Sequence, residues 1–594
     1  MSDTTPPPAG PQGSYAEPGS REPKPSGKRT AMIAGITAGT LAVVGVGAFA
    51  AVHFLSGGPQ AEQAIPANAI AVVSMDLDPG AKQKVEALKT LRKFPELKKQ
   101  LKLGSGDDLR KKFFDEALKD ENCKSLSYDS DIKPWIGDNV ALAAVPYSRT
   151  KVSPVIALTV TDKDKASKGL KALFDCTDST DDTALAFSGD FAVISDSQAH
   201  ADQAVKDAEA KPLTDDAAYQ EWSGKVGDRG VANFYIAKSA AGYIVDSLGS
   251  FGMPGRDAFP SDLQTSATEF PTDLPSGVPS DLLSDLPSDF PSSLLSSSVV
   301  PSASSEGDAG ASAPYAHPAQ DDQGDAIRKA LAKFKGAAGA LRFADGGAEL
   351  EVVGGGVDQG LGSNTDAGDL ITGLPGDTTA LFGIAVPKGF ASKLTDNLKN
   401  LGLPLFGSST DFESELENQL GISVPDDLES LLGQGVALSL RGTPADDLSS
   451  IQGPKDLPVG LTVKGDPDKI KAVIAKIEAK QGKTLADSGV SVEGGDGKVT
   501  LSFDGDYAKS LQGNGDLGDN DSFKKVVPNA DKASMVIYVD FNSKWREAIA
   551  KAMESDDASS SKDFLDNTEA LEAFGVSSWV DGDTSHALIK LTTD

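Results

Sequence analysis

Cysteine and histidine are scarce, with two of the first and four of the second in 594 residues. Without a C-x-x-C pair there is no dithiol redox motif. His53, His200, His317 and His586 are scattered, with no H-E-x-x-H and no His-Cys grouping, so no zinc site is written in the chain and no metal is expected. G-x-S-x-G is also missing. Gly482-Lys483-Thr484 ends like a phosphate loop, but Ile477 stands where the leading glycine belongs, and the lysine lacks its backbone cradle. Positive charge is short as well: Lys+Arg total 56 against Asp+Glu 87, a formal net charge of -31. Nucleic acid is excluded as a partner, because phosphate binding needs clustered cations that release counterions. No cofactor and no catalytic constellation emerges from these patterns.

What is present begins with length. A chain of 594 residues exceeds one ordinary core, so two or more folded units are expected. Residues 1–30 are rich in Pro, Gly and Ser and cannot bury enough surface to offset their ordering entropy, which predicts a disordered tail. Residues 31–55, AMIAGITAGTLAVVGVGAFAAVHFL, are uncharged and long enough for one transmembrane helix. Lys28 and Arg29 precede this run and no Lys or Arg follows until Lys82, which predicts a cytoplasmic N-terminus with the bulk of the chain outside the cell membrane. The competing reading is a cleaved signal peptide ending at Ala48-Phe49-Ala50. Gly35 and Gly39 form G-x-x-x-G, the spacing for a close helix contact and hence a homodimer, against the plain alternative of ordinary small-residue content. That topology would put Cys123 and Cys176 in an oxidising compartment, where one disulfide or two free buried thiols are the two readings.

The remainder repeats itself. WIGDNVALAAVP with SPVIALTVTDKDKASKGLKAL, from Trp135, has a second version in LLGQGVALSLRG with LPVGLTVKGDPDKIKAVIAKI, from Leu431. IPANAIAVVSMDL at Ile65 resembles LPGDTTALFGIAV at Leu374, and helix-hairpin phrases from Ile327 and Asn567 close each half. Alternating β-formers followed by Ile470, Val473, Ile474 and Ile477 at helical spacing read as strands leading into a helix. The predicted fold class is α+β: two tandem copies of one mixed strand/helix domain after a single transmembrane helix, over residues 62–356 and 371–594. Residues 251–325 interrupt copy one with FPSDL-like repeats rich in Pro, Ser and Asp, a predicted disordered linker or, alternatively, a multivalent docking segment.

Two charge features invite a functional reading. Lys82, Lys84, Lys89, Arg92, Lys93, Lys98, Lys99 and Lys102 form a basic run with Val85, Leu88, Leu91, Phe94 and Leu97 at threes, the pattern of a helix lying on an anionic membrane surface or, equally, packed on its own domain. Asp162 and Asp466 each precede a helical phrase and read as N-caps rather than as catalytic acids.

The Pro-rich tail, the span, IPANAIAVVSMDL and the paired ALAAVP and IALTV strands together resemble the membrane-anchored proteins of high-GC Gram-positive bacteria grouped as domain-of-unknown-function family 3352, over roughly residues 28 to 594. The resemblance implies an architecture and a cell-envelope location, with no activity to transfer. The leading expectation is a non-enzymatic protein binding an envelope lipid, polymer or protein. The alternatives are a hydrolase or polymer-modifying enzyme using carboxylates, and a scaffold or spacer.

Overall fold

The computed structural model of the protein describes residues 60–77, 81–94, 123–149, 151–176, 183–243, 331–344, 346–356, 367–394, 412–442, 458–541 and 568–594, with a few isolated positions between them. The tail, the apolar run 31–55 with Gly35 and Gly39, the insert 251–325, and Lys98, Lys99 and Lys102 lie outside the described residues.

Period-two patterning does what the sequence phrases imply. β2, Ile136–Pro146, reads IGDNVALAAVP and buries alternate residues, and β3, Val152–Val160, continues the alternation. With β1 (Ala71–Asp76), β4 (Ala184–Ser188), β5 (Phe191–Ser195), β6 (Ala232–Ala237), β7 (Gly336–Ala344) and β8 (Gly347–Gly355) these complete the first eight strands. The last eight are β9 (Thr378–Ala385), β10 (Gly435–Arg441), β11 (Val459–Lys464), β12 (Ser491–Gly495), β13 (Lys498–Ser502), β14 (Met535–Asp540), β15 (Leu571–Asp581) and β16 (Thr584–Thr593).

All sixteen belong to one antiparallel sheet, ordered β12-β13-β11-β10-β9-β14-β15-β16-β8-β7-β6-β1-β2-β3-β5-β4. This corrects the expected fold class. The chain does not form tandem domains in series: β8 and β16, the outer strands of the two closing hairpins, pair with each other from Thr584↔Gly355 to Leu591↔Ala348. The physical reason is the hairpin edge, a row of N–H and C=O groups that must find partners, and here each hairpin supplies the other's. Close backbone contact requires small residues, so a Cβ at Gly347 would strike the Leu591 carbonyl. The two halves list their strands in orders that differ by eight at each place, yet they share one sheet.

Helices cover both faces. On the first face α3 (Gln198–Ala210) and α4 (Ala217–Val226) pack Ala204, Tyr219 and Trp222 over Val72, Ala141, Ala157 and Tyr235. Further along it α6 (Gly505–Gln512) and α7 (Asp521–Val526) pack Tyr507, Leu511 and Phe523 over Leu381, Ala437 and Tyr538. On the second face lie α1 (Ala81–Arg92), α2 (Lys163–Cys176) and α5 (Pro467–Gln481). Asp466 caps α5, its Oδ1 accepting from the backbone N–H of Asp468 at 3.1 Å, with Pro467 opening the helix. Cys123 and Cys176 are joined by a disulfide with Cα atoms 5.0 Å apart, which ties the end of α2 to the segment before β2.

The membrane architecture also needs correction. No helix among the described residues is long and apolar enough to cross a membrane: the longest, α5, has 15 residues, where a span needs about 20 apolar ones. The described helices are amphipathic covers for a sheet. A single-pass protein with a cytoplasmic N-terminus and its bulk outside therefore has no support in this structure, and that localisation is set aside.

Candidate functional site

Two polar clusters have residue types that enzymes use, and geometry decides against both as active sites. In the first, Glu62 is 1% exposed and its Oε1 accepts from Arg229 Nη2 at 2.5 Å, from Ser74 Oγ at 2.5 Å and from Tyr219 Oη at 3.4 Å. Its Oε2 is buried and has no hydrogen-bond partner among the described residues. The adjoining cavity is about 20 Å³, room for one water and too small for a substrate. Burial, reinforced by the charge of Glu62, raises the Tyr219 hydroxyl above its usual range, so it stays protonated. The cluster ties the turn at Ala61–Ala64 to β1 and α4.

The second cluster joins Ser153, Ser195, Asp196 and His200. Ser153 Oγ donates to Asp196 Oδ1 at 2.6 Å, and His200 Nδ1 meets the same oxygen at 2.6 Å. A nucleophilic serine needs the imidazole between itself and the acid, whereas here the carboxylate stands between serine and histidine. Burial pushes Asp196 up, but hydrogen bonds from Ser153, His200 and Ser195 outweigh it and hold the carboxyl below its ordinary value. Asp196 is an acceptor that locks β3, β5 and the start of α3.

The second sheet face carries a different kind of feature. Directly opposed residues share a face, and the registers align Leu461, Leu438, Phe382, Ile537, Val576 and Ile589 across β11, β10, β9, β14, β15 and β16. Phe382, Leu438 and Ile589 are 43%, 47% and 38% exposed, with Ile537 and Val576 half-buried between them and Leu461 half-buried at the end. At about 4.8 Å per strand the row is about 24 Å long. At one end α5 shelters it, with Ile470 and Ile474 against Leu461 and Val436. At the other, Ile589 faces Leu350 and Leu350 faces Leu341, where α1 packs Ala87 beside Phe343, Leu341 and Ala348. The backbone beneath is fully engaged in the ladder, so the row offers apolar side chains and no directional polar group.

α1 brings the basic run to this face. Between Lys82 and Lys93 there are five basic residues and one acid. Lys89 pairs with Glu86 at 2.9 Å, Lys84 is half-buried and Arg92 exposed, and the side chain of Lys82 lies outside the described residues. Lys93 Nζ donates to Thr593 O at 3.2 Å and to Thr593 Oγ1 at 2.9 Å. Thr593 lies on β16 four residues beyond Ile589, about 14 Å along the strand on the same face. Val85, 49% exposed, stands on the outer side of the helix. In the acidic loop before α7, Asp516 and Asn520 serve structure: Asp516 Oδ1 accepts from Gly376 N and Asn520 caps α7. No metal-holding group of acids, His or Cys occurs among the described residues.

Sequence reasoning found the basic helix and missed the apolar row. A signal existed: TTALFGIA in β9 and MVIYVD in β14 are apolar at both odd and even positions, the mark of a strand with nonpolar matter on both faces.

On the first face near the seam, the His586 ring stacks on Trp579 with centroids 4.9 Å apart, and its Nδ1 is buried without a partner among the described residues. Burial holds the imidazole below its ordinary 6.5. The native state thus favours the neutral ring. Its contribution is complete above pH 6.5 and is lost as pH falls from there through the lowered native value. The urea midpoint should fall more between pH 7.5 and 5 for the natural chain than for His586→Phe; parallel curves would contradict this.

Residues 31–249 match a family described as protein of unknown function (DUF3352). The resemblance read from IPANAIAVVSMDL and the ALAAVP and IALTV strands is thus supported over this part of the chain. No curated protein and no solved structure matches the chain.

Proposed function

We propose that the protein is a non-enzymatic binding protein and that its ligand lies along the second face of the sheet. The observation that carries this reading is the unbroken apolar row from Leu461 to Ile589, open at Phe382, Leu438 and Ile589 and sheltered at its two ends by α5 and α1. Large side chains left open in one registered line mark a contact surface rather than scattered surface apolarity. The positions beside it on the same face are apolar too, Val436, Ile384 and Met535 on one side and Leu440, Val539 and Phe574 on the other, so the row is the middle of a broader nonpolar surface. The carboxylate-enzyme reading loses its motivation, because the best-buried acid among the described residues, Glu62, is salt-bridged beside a cavity of about 20 Å³.

Native mass spectrometry of the full chain, isolated from producing cells without organic solvent, tests the proposal. Discrete added mass that denaturation removes, and that Phe382→Asp strips from the isolated protein, is the expected result. Bare protein mass in the natural chain would defeat it.

A further inference from the structure

The Glu62 cluster belongs to one half of the molecule only, although the halves match residue by residue. Val72 faces Tyr235 between β1 and β6 as Leu381 faces Tyr538 between β9 and β14. The N–H of Leu213 donates to Ile65 O at 2.7 Å as that of Leu517 donates to Leu374 O at 2.9 Å. Tyr219 meets Tyr235 edge-on with centroids 5.3 Å apart, and Phe523 meets Tyr538 in the same way at 5.1 Å. Counting from these anchors, Glu62 corresponds to Ile371, Ser74 to Gly383, Tyr219 to Phe523 and Arg229 to Lys532. Ile371 is fully buried, and a Cβ on Gly383 would come within 2.8 Å of its Cγ1, so it rests on β9 where Glu62 rests on Ser74.

The same unit is thus closed by aliphatic packing in one half and by a buried ion pair in the other. The architecture does not require charge at this place, and burying an ion pair carries a desolvation cost that aliphatic packing avoids. Around the cluster the two cores are alike: Ile65 and Leu374, Val72 and Leu381, Leu213 and Leu517, Tyr235 and Tyr538 are buried at matching positions. Apolar packing therefore gives the turn at Ala61–Ala64 with β1 nearly equal reason to dock on either half, and like units within one chain are prone to such misassembly. We infer that the Glu62 cluster is a pairing key, which directs this segment to its own half. Docked on the second half, Glu62 would keep Ser74 but would meet the Phe523 ring in place of the Tyr219 hydroxyl. It would also exchange a guanidinium, whose two arms serve Glu62 and Tyr219 separately, for the single ammonium of exposed Lys532. A buried carboxylate short of partners is strongly disfavoured. The reverse error is opposed in the same way, because Ile371 in the first half would leave the buried Tyr219 hydroxyl and Arg229 without their carboxylate.

The test refolds the full chain, disulfide intact, by dilution from urea and measures the fraction recovered as monomer with the natural hydrogen-exchange pattern. In a first variant Glu62→Ile, Ser74→Gly, Tyr219→Phe and Arg229→Lys give both halves the aliphatic set. In a second, Ile371→Glu, Gly383→Ser, Phe523→Tyr and Lys532→Arg give both the polar set. A third combines all eight substitutions, so that the sets are exchanged and the halves differ again. The first variant, isolated folded from cells, should have a urea midpoint no lower than that of the natural chain. Both variants with matching halves should lose about half or more of the recovery to misassembled monomer and oligomers, and the exchanged variant should regain it. Full recovery of either matched variant overturns the inference, since discrimination would then not depend on the cluster. An exchanged variant that recovers no better than the matched ones overturns it too, because the losses would come from the substitutions themselves. So does a lowered urea midpoint in the first variant, which would show that the fold needs the ion pair.

Discussion

Replacing Arg342 with methionine should lower stability by about 3–5 kcal/mol, because it breaks a buried charge network and leaves its acids behind. Arg342 stands on β7 at 9% exposure. Its Nη1 donates to Glu349 at 3.0 Å and Glu351 at 2.8 Å, and Lys590 from β16 reaches Glu349 at 3.5 Å across the seam. The same guanidinium donates to the carbonyls of Val226 at 2.6 Å and Asp228 at 2.8 Å, closing the C-terminal end of α4. Without it, Glu349 keeps only Lys590, Glu351 loses its guanidinium partner, and the helix end loses its donors. Urea unfolding followed by tryptophan fluorescence measures the loss, and adding Glu349→Gln and Glu351→Gln to the variant should recover part of it. A loss under about 1 kcal/mol would mean that these groups are solvated like an exposed pair and that the seam is not a closed interior.

Cys176→Ser should cost about 4 kcal/mol in the chain-entropy account, since the disulfide to Cys123 closes a loop of 53 residues. Its effect should be confined to the first half, where α2 packs Ala166 and Leu170 with Tyr128, Ile132 and Trp135. Hydrogen exchange shows where the loss falls: faster exchange in β3, β5 and α2, with β9 to β14 unaltered. Uniform acceleration through all sixteen strands would show instead that the sheet unfolds only as a whole.

The contrast between these two sites shows what a sequence can and cannot convey. Two cysteines have one intramolecular pairing, so the partners were legible by counting, whereas the choice between a disulfide and two free thiols waited for the 5.0 Å between their Cα atoms. Asp466-Pro467 before Ile470, Val473 and Ile474 stated both the cap and the buried stripe of α5, because each depends on neighbours within one helical turn. Strands β2, β3, β10 and β11 coincide with the phrases that alternate. The partner of each strand edge was not legible: nothing within the alternation of TSHALIKLTT in β16 says that its free edge will meet AELEV of β8 more than 200 residues away. That missing pairing turned an expected pair of domains into one sheet. The apolar row was invisible for the same reason, since Phe382 and Ile589 become neighbours on one face only through the registers of β14 and β15. The basic residues of α1 were readable as an amphipathic helix, but its place beside that row comes from the packing of Ala87 on Phe343, a contact 256 positions apart that no local pattern encodes.

The central claim is that the row from Leu461 to Ile589 is occupied by ligand in the working protein. Carbene footprinting of the full chain as isolated, compared with the same preparation after solvent extraction and renaturation, tests it most directly. The account predicts that Phe382, Leu438 and Ile589 gain label on extraction and lose it again when the extract is returned, while Tyr147, an exposed ring away from the row, stays constant. Equal labelling of all four residues in the two preparations would contradict it.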